Sequence, residues 1–258
     1  AAEAAALEAT SAEAAKAKND KKRHAVKFKV GVTNITEAFD VMKGHAWANF
    51  DETVEAIVCL NVDPRKPNQS IRGVASLPYG VGKTVTVGVF ARDADAQAAL
   101  DAGADVVGAE DLIARVVAGE IPFQRVIATP ELMPQLAKIG KLLGPKGLMP
   151  NPKLGTVTKD VASAVAKAKA GAVQYRVDRK GIIHAGIGKC SFPTTHLLEN
   201  FRSFMLSIVD SKPETLKGKY ISNVYLKSTM GPSITIEVAN ADPTNARFML
   251  DAAALSKR

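Results

Sequence analysis

Cysteine is nearly absent from this 258-residue chain: only Cys59 and Cys190 occur, far apart. Two such residues make neither a disulfide framework nor a zinc pattern, so a reducing compartment is the default. Histidine is almost as scarce. His24, His45, His184 and His196 show no HxxxH or HxH spacing, and no metal is expected. Aromatic residues make up 5% of the chain, with a single Trp, too few for a base-stacking platform. No apolar run approaches the roughly 18 residues of a membrane span. A GxGxxG fingerprint is missing as well, so no dinucleotide cofactor is expected.

One motif comes close to a phosphate-binding loop and fails. "LPYGVGKT" (77–84) ends in Gly-Lys-Thr, but a P-loop needs glycine five residues before Gly82, where Leu77 stands. It also needs a helix after the lysine, so that the helix N-terminus faces the anion. Residues 84–90 instead alternate with period two and are rich in β-branched side chains, which reads as a strand. A Pro/Gly connection between two structural units is the preferred reading. An α/β phosphate- or nucleotide-binding enzyme using residues 77–84 is the alternative.

What the chain does carry is positive charge: +8 net, with a pI near 9.4. The excess falls mainly on residues 21–79 and 171–258, which favours a polyanionic partner for the outer portions. Contact with about four to six phosphates would cut affinity by roughly two to three orders of magnitude between 50 and 200 mM salt. The first twenty residues, mostly Ala with Glu and Lys, cannot bury a core, and 1–28 is expected to be a disordered extension.

The middle alternates strand and helix. Strands are expected at 84–90, 105–108 and 125–129. Helices are expected at 93–104, 110–119, around 131–143 and at 158–171, the last capped by Thr158. That order implies a parallel sheet with helices on its faces. The flanks read as antiparallel α+β. There is a strand at 51–63, a hairpin at 172–188 turning at Asp178–Gly181, and a helix capped by Ser191. Two further strands lie within 220–239, broken by Met-Gly-Pro. Residues 29–79 and 171–239 therefore form one discontinuous domain, with 80–170 inserted and 240–258 as a tail. Pro78, Gly80 and Gly171 mark the hinge crossings. The Gly/Pro/Lys stretch "GKLLGPKGLMPNPKLG" (140–155) holds no carboxylate, His, Ser or Cys. It reads equally as a rigid connection or a binding loop, but not as a catalytic one.

"LGPKGLMPNPKLGTV" resembles the signature of the large-subunit ribosomal protein one family, the stalk proteins, in bacterial form. "FDETVE" (50–55), "DPRKPNQSIRGVASLPYGVGK" (63–83), "AGADVVGAEDLI" (102–113), "IHAGIGKCSFP" (183–193) and "STMGPS" (228–233) follow in the family's order, covering about 34–239. The resemblance implies an α/β fold: a discontinuous two-layer α+β domain and an inserted three-layer, Rossmann-like domain. It implies no enzyme. The expected role is structural. The chain would bind large-subunit rRNA at the mobile stalk, help deacylated tRNA leave the exit site, contact other parts of the subunit, and possess the means to repress its own mRNA. By resemblance the RNA surface includes Glu37, Phe50, Thr53, His184, Lys189, Thr229, Met230, Gly231 and Pro232. Asn49 and Asn223 stand where bacterial relatives often carry Lys and Ser. Phe50 also reads as a core residue and Gly231 as a simple turn. Glu37 and Glu52 would repel phosphate unless they accept from a 2′-OH or a base amine. A bacterial-type sequence behind an Ala/Glu/Lys leader points to the plastid stroma, with mitochondrion or bacterial cytoplasm as alternatives.

Overall fold

A computed structural model describes residues 34–214, 216 and 218–249. The extension expected over 1–28 lies outside them, as does the end of the expected tail. The fold is mixed α/β, and the chain divides into two compact units. Among the described residues, one is formed by 34–71 and 176–249, the other by Arg72–Tyr175.

The discontinuous unit is built on an antiparallel sheet. Its strands are β1 (Thr53–Leu60), β7 (Ile182–Lys189), β8 (Ile221–Ser228) and β9 (Ile234–Ile236), in the order β7-β1-β8-β9. Alternation in β1 sends Val54, Ala56, Val58 and Leu60 into the core. Helices α1 (Ile35–Gly44) and α7 (Thr194–Asp210) cover that face, where Phe39 and Phe201 meet edge to face with ring centres 6.4 Å apart. The buried Asn200 amide donates to Ile187 O at 2.8 Å, tying helix α7 to β7. The opposite sheet face is more open: Thr53, Ile57 and Tyr225 are half-buried, and Glu55 pairs with Lys227 at 3.8 Å.

The inserted unit holds a parallel sheet in the order β4-β3-β5, from strands β3 (Val87–Phe90), β4 (Val106–Gly108) and β5 (Arg125–Ala128). Phe90 joins one core with Leu112, Val116 and Leu136. Val87 and Val89 point into a second core with Val161 and Val165. All four residues of β3 are buried, so the period-two alternation read over 84–90 does not mark one open face of this strand.

Several expectations are corrected. The unit boundaries fall at 71/72 and 175/176, not at 79/80 and 170/171. Strands β2 (Arg72–Ser76) and β6 (Ala172–Arg176) pair with each other, and a Cβ on Gly73 would sit 2.6 Å from the Tyr175 hydroxyl oxygen. They therefore join the inserted unit. The expected 172–188 hairpin is closed only at its turn, where Gly181 N donates to Asp178 O at 2.9 Å. Beyond the Val177–Ile183 bridge its arms enter different sheets. The helix expected around 131–143 breaks at Ile139 into Met133–Lys138 and Gly140–Leu143. Helix α6 (Val161–Lys169) is capped by Asp160, whose carboxylate accepts from Ser163 N at 3.3 Å; Thr158 donates to Asp160 O instead. Ser191 does not cap α7, which starts after Pro193. The expected tail from 240 is partly folded: Asn240, Ala241 and Met249 are buried, and the Asn240 amide donates to Asn34 Oδ1 at 3.2 Å.

Candidate nucleic-acid interface

Strand register gathers three distant segments at one end of the discontinuous sheet. Thr53 lies opposite Lys189, and Val54 lies opposite Ser228. Antiparallel pairing thus brings the start of β1, the end of β7 and the end of β8 together. Side chains then fasten the loops beyond those ends. Thr53 N donates to Thr229 Oγ1 at 3.1 Å, and that hydroxyl returns a bond to Thr53 O at 3.3 Å. Lys189 Nζ donates to Asp51 O at 3.1 Å and to Thr53 Oγ1 at 3.0 Å. The Asp51 carboxylate accepts from Ser191 N at 3.2 Å and Ser191 Oγ at 2.8 Å. Lys43, in the last turn of α1, donates to Phe192 O at 2.5 Å and Thr194 Oγ1 at 3.1 Å.

Two apolar side chains project from this fastened rim. Phe50 is 56% exposed and Met230 is 50% exposed, so Phe50 is not a core residue. Pro232 is half-buried beside them in sequence. Thr53, Lys189 and Thr229 bond to one another, so their main effect is to shape the surface. Gly231 has an internal reason to lack a side chain, because an added Cβ would come within 2.3 Å of the Ser228 hydroxyl, which accepts from Gly231 N at 3.0 Å. Glu37 and His184 are exposed but are not part of this cluster. His184 pairs with Ile57 in mid-strand, about 16 to 17 Å from the Lys189 end at some 3.3 Å per residue. Glu37 opens α1, about 9 Å along the helix from Lys43. Asn49 is exposed near the rim, whereas Asn223 pairs with Cys59 toward the other end of the sheet.

Glu52 differs most from its sequence reading. It is 1% exposed, and its two oxygens accept from Ala48 N at 3.2 Å and Met230 N at 3.1 Å. It is not placed to receive a ribose hydroxyl. Burial, then the Glu52 and Asp51 carboxylates, push the neighbouring Cys190 thiol up to about 11. That thiol stays protonated at neutral pH.

Charge is distributed otherwise than the sequence segments imply. Across 34–71 and 176–249 there are thirteen Lys and Arg against twelve Asp and Glu; across 72–175 there are twelve against nine. Over these ranges the discontinuous unit is almost neutral, so what field it carries depends on where its cations stand rather than on their sum. One such placement was missed in the sequence. At the end of the sheet away from Thr53, Arg176 and Arg179 line a cavity of about 420 Å³ with Pro64, Ser70, Val177 and Asp178. Arg65, Lys66 and Lys180 are exposed in the same two loops, and none of these five cations forms an ion pair among the described residues. The proximity of 63–70 to 176–180 follows from Val177 N donating to Ile71 O at 3.0 Å, which no local pattern reveals.

The 77–84 segment is a turn closed by Gly80 N donating to Leu77 O at 3.1 Å, and the next element is strand β3, not a helix. Gly80 and Gly171 approach backbone to backbone: a Cβ on Gly171, which has φ +92°, would lie 2.3 Å from Gly80 Cα. Both glycines lie inside the inserted unit. Pro78 is exposed in the same turn. In the Gly/Pro/Lys loop, Asn151 and Thr156 bond across its base, with Asn151 N donating to Thr156 Oγ1 at 2.8 Å, while Lys141 and Lys146 are exposed. Among the described residues no group of His, Cys, Asp and Glu could hold a metal ion, and no helix is long and apolar enough to cross a membrane.

The model of the ribosomal protein L1p/L10e family matches residues 42–232, which include Phe50–Thr53, Lys189, Thr229–Pro232 and the distal basic loops. With about three quarters of its length matched, the chain belongs to the ribosomal protein L1p/L10e family, whose role is structural and RNA-binding and not enzymatic.

Proposed function

We propose that the protein is a structural constituent of the large ribosomal subunit that grips the rRNA of the mobile stalk with the rim formed by residues 50–53, 189–191 and 228–232. The observation carrying this reading is the convergence of those three segments by strand register, with Phe50 and Met230 projecting from a rim braced by hydrogen bonds. A preformed rim with few aromatics suits a folded RNA shape better than splayed bases. An mRNA folded into the same shape would compete for the rim, which gives a route to translational repression of the protein's own message. The test is a gel shift with a transcript of the stalk region. Met230→Asp sets a carboxylate against RNA and should weaken binding more than tenfold, about 1.4 kcal/mol, with the circular dichroism unchanged. A folded Met230→Asp protein with parental affinity would remove the rim from consideration.

The distal cations supply a second surface. Arg65, Lys66, Arg176, Arg179 and Lys180 suit another phosphate backbone, and deacylated tRNA leaving the exit site is the partner that this reading assigns to them. Exchange of Arg176 and Arg179 for Glu should reduce tRNA binding and leave the stalk transcript bound. Loss of both together would show one continuous RNA surface. In this reading the chain crosses between its units at 71/72 and 175/176, with Pro78, Gly80 and Gly171 bracing the inserted unit just beyond those crossings, and the protein works in the plastid stroma.

A further inference from the structure

We infer that Glu52 is a positioning residue for the RNA rim: a buried carboxylate that sets the Phe50 and Met230 loops at a fixed spacing before RNA arrives. The inference rests on the rim being the RNA surface, but it concerns a side chain that itself touches no RNA.

Four consecutive residues face four different ways. Phe50 points to solvent. Asp51 bonds to Ser191. Thr53 bonds to Thr229 and Lys189. Glu52 points inward at 1% exposure. Its Oε1 accepts from Ala48 N, two residues before Phe50, and its Oε2 accepts from Met230 N. Its own carbonyl accepts from Cys190 N at 2.9 Å. One residue thus bonds to all three segments of the rim.

A carboxylate is the group this position requires. Burying a charged group is unfavourable unless hydrogen bonds satisfy it, and bonds from backbone N–H to a carboxylate are stronger than those between neutral groups. Two oxygens that only accept match two N–H groups that only donate. An amide of the same shape offers one oxygen and one NH₂, so either Ala48 N or Met230 N would face another donor. An aspartate is one methylene shorter and cannot span both loops. The consequence for binding is preorganisation: with the loops held apart at fixed spacing, RNA association does not have to order them.

The test compares Glu52→Gln with Tyr220→Phe, which removes a hydroxyl bond to Ile208 O at 3.2 Å outside the rim. Both are measured, well below their thermal transitions, against the stalk-region transcript. Glu52→Gln should lose at least tenfold in affinity, and the slope of log affinity against log salt should stay parental, because no phosphate contact is removed. Tyr220→Phe should bind as the parent does. Amide exchange at Met230 and Ala48 should accelerate in Glu52→Gln and not in Tyr220→Phe. Parental affinity in folded Glu52→Gln, alongside weakened Met230→Asp, would overturn the positioning role and leave the rim in place. Parental affinity in both would overturn the rim and the positioning role together. Equal losses in Glu52→Gln and Tyr220→Phe would show that only general stability was changed, and would also overturn the inference. Should Glu52→Gln not fold, exchange in the parent decides: a Met230 amide that exchanges at the rate of an open loop would refute the clamp.

Discussion

Raising salt from 50 to 200 mM should separate the two proposed RNA surfaces, since the structure distributes cations unequally between them. Along the rim segments Lys227 is paired with Glu55, which leaves Lys43 and Lys189, bonded only to uncharged oxygens, as the cations that can neutralise phosphate. If each neutralises one phosphate, the counterion slope is about −0.9 per contact, or about −1.8 in all. A fourfold rise in salt then lowers affinity for the stalk transcript by about one order of magnitude, less than the two to three orders expected from net charge alone. The distal end offers Arg65, Lys66, Arg176, Arg179 and Lys180. Five contacts give a slope of about −4.5 and a loss of roughly 500-fold for tRNA over the same range. The measurement is fluorescence anisotropy on residues 34–249, trimmed so that the basic termini do not contribute. Lys189→Met should flatten the stalk-transcript slope by about 0.9. A hundredfold or greater loss for the stalk transcript in the trimmed protein would refute the reasoning, because two lysines cannot produce it.

Gly171→Ala should destabilise the inserted unit by at least about 2 kcal/mol in denaturant unfolding, since φ is +92° and the new Cβ meets Gly80 Cα at 2.3 Å. An unchanged midpoint would mean that the close approach relaxes freely. Asp105 accepts from Val87 N at 2.8 Å and from Lys169 Nζ at 3.2 Å, which holds its carboxyl below the usual range, the backbone bond first. Its stabilising effect is therefore complete above the ordinary Asp value of about 3.9 and is lost as pH falls through the lower folded value. Asp105→Asn should flatten that acid limb in a pH series of thermal melts. Replacing Arg72–Tyr175 with a short Gly/Ser linker should leave a folded, stalk-binding protein, because Val177 N and Ile71 O already sit 3.0 Å apart. Circular dichroism and gel shift check this, and loss of RNA binding from a folded product would move the interface to the inserted unit.

The sequence by itself determined the elements and their order. Period-two alternation marks residues 53–60, the 3.6-residue repeat of Leu197, Phe201, Phe204 and Ile208 marks α7, and glycines at 103, 119 and 171 stop three helices with positive φ. These signals are local: each depends on residues a few positions apart. It also placed Phe50 and Met230 within motifs whose order resembles a family. Only the tertiary structure decided which way the FDET tetrad faces. A one-residue change of phase would exchange Glu52 with Thr53 across the sheet, and register is fixed by pairing with Lys189 and Ser228, more than a hundred residues away. The same holds for the unit boundary. Strand character is legible at 72–76 and 172–176, but pairing between those strands is a long-range fact that assigns both to the inserted unit. Charge shows the point most plainly. Net charge sums over the chain, whereas binding depends on distances between cations, and the chain path alone brings Arg65 and Lys66 to the end of the sheet that carries Arg176 and Arg179.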